Sequence, residues 1–181
     1  MEFQSENKIF IISAPSGSGK TVVMRSVMKN ELISFTTRQK RENEIEGIDY
    51  IFISESEFEN LLNTNGLIEN TNYGGNFYGL TRDELNSKLA LGDCFFIADV
   101  VGLKQIKKIY NNVVSIFIYS TKEDCEANMR DRGDTEQNIH KRLSTYEKEI
   151  ENLVLYDHVI TNARGFIEDT INDVKDIVND I

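Results

Sequence analysis

The apolar, β-branched run from Lys8 to Ser13 (KIFIIS) gives way to Ala14-Pro15-Ser16-Gly17-Ser18-Gly19-Lys20-Thr21. A stretch with apolar residues at helical spacing then continues to about Lys29. A buried strand, a glycine-rich turn and a helix in that order form the opening unit of an α/β fold. A tight turn alone does not call for a lysine. Gly17 and Gly19 let successive backbone N–H groups turn inward to form a hollow for phosphate oxygens, and the helix behind adds its N-terminal partial positive charge. Lys20 is placed to reach the β- and γ-phosphates of a nucleoside triphosphate, and the Thr21 hydroxyl to coordinate Mg²⁺.

The same alternation recurs downstream. Cys94 to Val100 (CFFIADV) and Val113 to Tyr119 (VVSIFIY) read as buried strands, followed by helical patterns at about 103–110 and 121–131. Asp157 to Thr161 reads as a last short strand, and Ile167, Ile171, Val174 and Val178 mark one face of a closing helix. Strands apolar on both faces, alternating with helices, predict a parallel sheet flanked by helices. The interval from Ser34 to about Gly92 is too long for a simple crossover. It carries short strand patterns (ISFTT, YIFIS, LIEN), a helix at about 55–63 and a Gly74-Gly75 hairpin turn, and predicts a mixed subdomain inserted into the core. A second, polar insertion is expected at about 130–142.

Composition narrows the partners. Twenty Lys+Arg against 30 Asp+Glu leave a net charge of -10, which argues against nucleic acid, whose binding needs an extended basic surface. A small anion needs only a local positive cluster. No apolar run reaches the ~20 residues of a membrane span, and MEFQSENK lacks the features of a secretory signal, so a cytoplasmic location is expected. Cys94 and Cys125 are far apart in sequence and read as structural thiols. His140 and His158 show no chemistry and read as surface or lid residues.

Ala14 to Thr21 matches the P-loop pattern G-x-x-x-x-G-K-[ST], with alanine in the first glycine position. The chain as a whole resembles the guanylate kinase family. Ser34-Phe35-Thr36-Thr37-Arg38-Gln39-Lys40-Arg41 is similar to that family's S-x-T-T-R-x-x-R segment, and Glu44 to Tyr50 (EIEGIDY) to its G-E-x-x-G-x-D-Y continuation. Phe58 with Leu67-Ile68-Glu69, the run Gly75 to Gly79 (GNFYG), Asp99 with Gly102, Arg132-Gly133, Ile139 with Arg142, and Asn162 follow in the family's order. Each match is weak alone, but together and in the correct order they make a specific signal.

The resemblance implies one guanylate-kinase-like domain over 1–181. Its core would be about 1–33, 87–121 and 143–181, with a monophosphate-binding insertion at about 34–86 and a lid at about 122–142. It implies transfer of a phosphoryl group from ATP to GMP, giving ADP and GDP, by a monomer or homodimer. ATP would be held by Ala14, Pro15, Ser16, Gly17, Ser18, Gly19, Lys20, Thr21 and Asn162. Ser34, Arg38, Arg41, Tyr50, Glu69, Tyr78 and Asp99 would hold GMP, and Lys20, Arg132 and Arg142 would act on the migrating group. Chemistry asks for these types independently: paired arginines clamp phosphate, and a glutamate accepts from guanine N1–H and its 2-amino group, a donor pair adenine lacks. Three features depart from the family pattern. Leu80 stands where a hydroxyl is usual, Ile97 where an acid is frequent, and the lid is about one residue short between Gly133 and Ile139. A kinase for a phosphorylated sugar and a non-catalytic binding module of the same fold are the alternative readings.

Overall fold

The computed structural model describes residues 5–180 and divides into two compact units. The first comprises residues up to Ile9, Asn30–Phe96 and Val101–Val113; the second comprises Phe10–Lys29, Ile97–Val100 and the chain from Val114 onward.

β1 (Ile9–Ser13), in the second unit from Phe10 on, is buried at every residue and runs straight into the glycine-rich turn and α1 (Lys20–Val27). β7 (Val113–Tyr119) and β8 (His158–Thr161) pair in parallel, and β7 lies between β1 and β8. On the other side of β1 runs the end of β6 (Cys94–Ile97), where the Ala98 N–H donates to the Ile12 carbonyl at 3.1 Å. The parallel sheet flanked by helices expected from the alternating pattern is therefore present. The last helix, α8 (Ile167–Asp180), packs against α1.

β6 stops at Ile97, short of the expected Val100, because α4 (Val100–Ile109) starts there. The segment read as a polar insertion at 130–142 is largely helical. After α5 (Lys122–Asp131), Thr135 caps α6 (Glu136–Leu143) by accepting from the Asn138 N–H. Ile139 and Leu143, one turn apart, join Cys125, Met129 and Tyr146 of α7 (Tyr146–Ile150) in a small apolar core of their own.

The first unit carries a second sheet, ordered β3-β2-β5-β4. β2 (Phe35–Thr36) pairs parallel to β3 (Ile51–Phe52) and antiparallel to β5 (Asn76–Thr81), which forms a hairpin with β4 (Leu67–Tyr73). Gly74 and Gly75 turn that hairpin, both with positive φ. α2 (Glu55–Asn63) occupies the expected range and opens with a capping box between Ser54 and Glu57. Its Phe58 stacks on Phe77 with ring centroids 5.4 Å apart. A Cβ on Gly79 would lie 2.7 Å from Leu67 Cδ1, so a side chain there would have to displace that leucine. α3 (Arg82–Leu89), not anticipated from the pattern, is capped by Thr81 and buries Leu85 and Leu89.

No helix among the described residues is long and apolar enough to cross a membrane.

Candidate active site

The second unit contains a cavity of about 400 Å³ lined by Gly17, Gly19, Lys20, Thr21, Asn128, Arg132, Asn162 and the 163–165 turn, among others. Gly17 has φ +91°, and a Cβ there would sit 2.4 Å from the Cys125 carbonyl oxygen, so the loop passes α5 too closely for any side chain. Gly19 is the left-handed N-cap of α1 and supplies no capping side chain. The first N–H groups of that helix are therefore not capped by one, as an anion site requires. Within the loop Pro15, Ser16 and Ser18 are buried, and Ala14 is partly buried. The Ser18 N–H closes the turn onto the Pro15 carbonyl at 3.2 Å.

Asn162 has both ends of its amide engaged. Nδ2 donates to the Ser18 carbonyl at 2.8 Å, and Oδ1 accepts from the Thr170 hydroxyl at 2.9 Å. It lines the cavity and braces the loop from below. Asn128, which no sequence motif marks, does the same from α5, with Nδ2 donating to the Gly17 carbonyl at 2.9 Å. Arg164 is the second residue that sequence reasoning missed. It lines the cavity and pairs with Asp131 at 2.5 Å.

Burial pushes the Lys20 ammonium down to about 8; Glu149 opposes that shift, while Arg142 and Arg132 add to it. A lysine desolvated beside two arginines describes a site short of negative charge. Arg132 donates through Nε and Nη2 to Asp134, which also lies 3.8 Å from Arg142 Nη1. Asp99, in the turn between β6 and α4, belongs to this unit and is partly buried.

The remaining residues expected at the acceptor site fall in the first unit. Arg38 lies over the Tyr50 ring at 5.2 Å and the Phe52 ring at 5.7 Å, and the Tyr50 and Tyr78 rings meet edge to face at 5.7 Å. Glu44 binds Arg38 through Nη1 at 3.0 Å and Nη2 at 2.6 Å, and lies 3.5 Å from Arg41 Nη1. Burial opposes the charge on both Arg38 and Glu44. Their pairing outweighs it, holding Arg38 above and Glu44 below its ordinary value. Burial, then Tyr78, raises the Tyr50 phenol. Ser34 is buried, and its carbonyl accepts from the Ile51 N–H.

Glu69, only 2% exposed, stands directly opposite Leu80 in the β4–β5 ladder. Opposed residues share a face, so the fully buried Leu80 flanks the carboxylate with hydrocarbon where the family pattern has a hydroxyl. A register irregularity between Leu67 and Glu69 and a two-point clasp hold this strand. Gln105 Nε2 donates to the Asn70 carbonyl at 2.7 Å, and Gln105 Oε1 accepts from the Asn70 N–H at 3.1 Å.

Comparison with known proteins gives a consistent result. The family model for guanylate kinase matches residues 6–181. The guanylate kinase of Neisseria gonorrhoeae is 36% identical over 187 residues, covering 99% of this chain and 90% of that protein. The guanylate kinase of Bartonella henselae is 39% identical over 167 residues, covering 88% of this chain and 75% of its own length. The Escherichia coli K12 guanylate kinase is 31% identical over 184 residues, covering 96% and 88%. Among solved structures, guanylate kinase from Anaplasma phagocytophilum superposes with a TM-score of 0.76 at 29% identity, covering 97% of this chain and 86% of that one. With a family model over nearly its whole length and relatives above 30% identity along most of theirs, this chain belongs to the guanylate kinase family.

Proposed function

We propose that the cavity behind β1 binds ATP and that the residues around Arg38 and Glu69 bind GMP, in an enzyme that passes the γ-phosphoryl group from one to the other. An oxygen of the GMP phosphate attacks the γ-phosphorus, the bond to the bridging oxygen breaks, and ADP and GDP leave. Such a transfer is mostly positioning and charge neutralisation. Gly17 and Gly19 leave room for the phosphates, and Lys20 neutralises the migrating group. Arg132 and Arg142 supply charge from the lid formed by residues 122–142. Arg38, Arg41, Tyr50 and Tyr78 hold the acceptor phosphate. Ser34 and Glu69 read the guanine edge, with Asp99 nearby. In domain terms, residues 34–86 serve as the acceptor-binding insertion of a single kinase domain.

The observation that carries this reading is the desolvated Lys20 in a glycine-lined cavity beside Arg132. Mg²⁺ fits the same cavity. No group of three or more His, Cys, Asp or Glu able to hold a metal occurs among the described residues. The protein offers the Thr21 hydroxyl instead, as suits an ion that arrives on substrate phosphates and keeps several waters. When bound, the ion would neutralise charge on the β- and γ-phosphate oxygens.

The test is ADP release across GMP, dGMP, AMP and ribose phosphate. A buried carboxylate that pairs with two guanine donors should favour GMP over AMP by about 10²-fold or more in kcat/KM. Equal or better turnover of AMP would remove the base-reading role of Glu69, and preference for the sugar phosphate would replace GMP as acceptor.

A further inference from the structure

We propose that Glu44 is a positioning residue for the acceptor, fixing the guanidinium of Arg38 so that one edge is presented to the acceptor phosphate; this rests on the assignment of Arg38 to that phosphate. A guanidinium has two forked edges, one made by Nη1 and Nη2 and one by Nε and Nη2. Glu44 takes the first, its two oxygens accepting from Nη1 and Nη2. The other Nη1 hydrogen goes to the Gln39 carbonyl at 2.8 Å. Nε–H and the second Nη2–H have no acceptor among the described residues, and together they form the second fork. The rings of Tyr50 and Phe52 support the plane of the group. One edge is tied and one face is covered, so only the Nε/Nη2 edge stays available for a bidentate contact with phosphate.

Glu44 is itself anchored. Its Oε2 accepts from the Arg41 backbone N–H at 2.8 Å, and its own N–H donates to the Arg41 carbonyl at 3.2 Å in a tight turn. A carboxylate tethered at the backbone does not need to leave when phosphate arrives. It also leaves a net charge of +1 on the Arg38–Arg41–Glu44 group, enough to attract a dianion. This is the arrangement expected of a support built to preorganise a contact rather than to compete with it.

Glu44→Gln keeps the size and one acceptor but removes the charge. It should raise the KM for GMP about tenfold, the loss of one charge-assisted contact, with kcat and the KM for ATP within about twofold. GMP titrated calorimetrically without ATP should weaken to the same extent. In an Arg38→Ala background there is no fork to orient, and Glu44→Gln should add less than a factor of about two. An unchanged or lower GMP KM in Glu44→Gln would overturn the proposal, the carboxylate then being a spectator or a competitor. An equal tenfold loss in both backgrounds would overturn it as well, because Glu44 would be acting independently of Arg38. Arg38→Ala alone tests the underlying assignment: if that variant binds GMP normally, Arg38 does not hold the acceptor phosphate, and the failure lies there.

Discussion

Arg38 and Arg132 each bind one carboxylate, but through different edges of the guanidinium. Glu44 meets Arg38 end-on through Nη1 and Nη2, from a position fixed by a backbone N–H. Asp134 meets Arg132 side-on, with Nε and Nη2 converging on a single oxygen. The first arrangement leaves a fork open for phosphate; the second fills the fork that phosphate would use. The environments match this contrast. The Arg38 side chain is 13% exposed and that of Arg132 43%, so the first pair is a partly buried fixture and the second a solvated contact of low strength. In the proposed roles, an acceptor site gains by being ready before its substrate arrives, and a lid needs a resting partner that it can leave.

That contrast can be broken at four points. The largest effect belongs to Arg142→Ala. Removing a charge applied mainly to the transition state should lower kcat by roughly 10²–10³-fold while the GMP KM moves little. Steady-state kinetics with both substrates varied would decide it, and a change confined to GMP KM would erase the division between an arginine acting on the transition state and one holding the acceptor. Next, Arg38→Ala should raise GMP KM by roughly 10–100-fold, the range for losing hydrogen bonds between charged groups, with a smaller effect on ATP.

The third point is pH. Lys20 is held down to about 8, chiefly by burial. A lysine with a lowered pKa keeps its charge below that value and loses it above, so kcat/KM for ATP in the free enzyme should fall by up to tenfold per pH unit as pH rises past about 8. At saturating ATP the phosphates restore the lysine's charge, and kcat should hold to higher pH. Parallel profiles for both quantities would count against Lys20 as the phosphate contact. The smallest effect is Asp134→Asn. Weakening an exposed pair worth about 0–1 kcal/mol should speed turnover or lower the ATP KM by no more than about fivefold. The sign carries the information: Glu44→Gln should harm and Asp134→Asn should help, and two losses of equal size would mean that both carboxylates are supports.

The glycine loop is legible in the sequence because its chemistry is contiguous: the residues that form the hollow are neighbours in the chain. Arg38, Arg41 and Glu69 follow from motif order. α3 and α6 are harder to read because each is mostly polar. Their signals are a threonine cap and two buried residues four apart, Leu85 with Leu89 and Ile139 with Leu143, a short pattern that a polar loop also produces by chance. Asn128 and Arg164 carry no local signature. Asn128 matters only because α5 runs so close to Gly17 that its amide meets the loop carbonyl, a tertiary fact. Leu80 is visible as a departure, but only the strand register shows it facing Glu69.

The two cysteines open an experimental route. Both are buried, one in each unit, and burial pushes both thiols up to about 12, so at neutral pH they stay protonated and shielded from thiol reagents. A cysteine introduced at exposed Asn72 on the hairpin, and another at exposed Asn138 on α6, would then take up fluorophores without background from the native thiols. Energy transfer between those two labels would report whether their separation changes, substrate by substrate, during turnover.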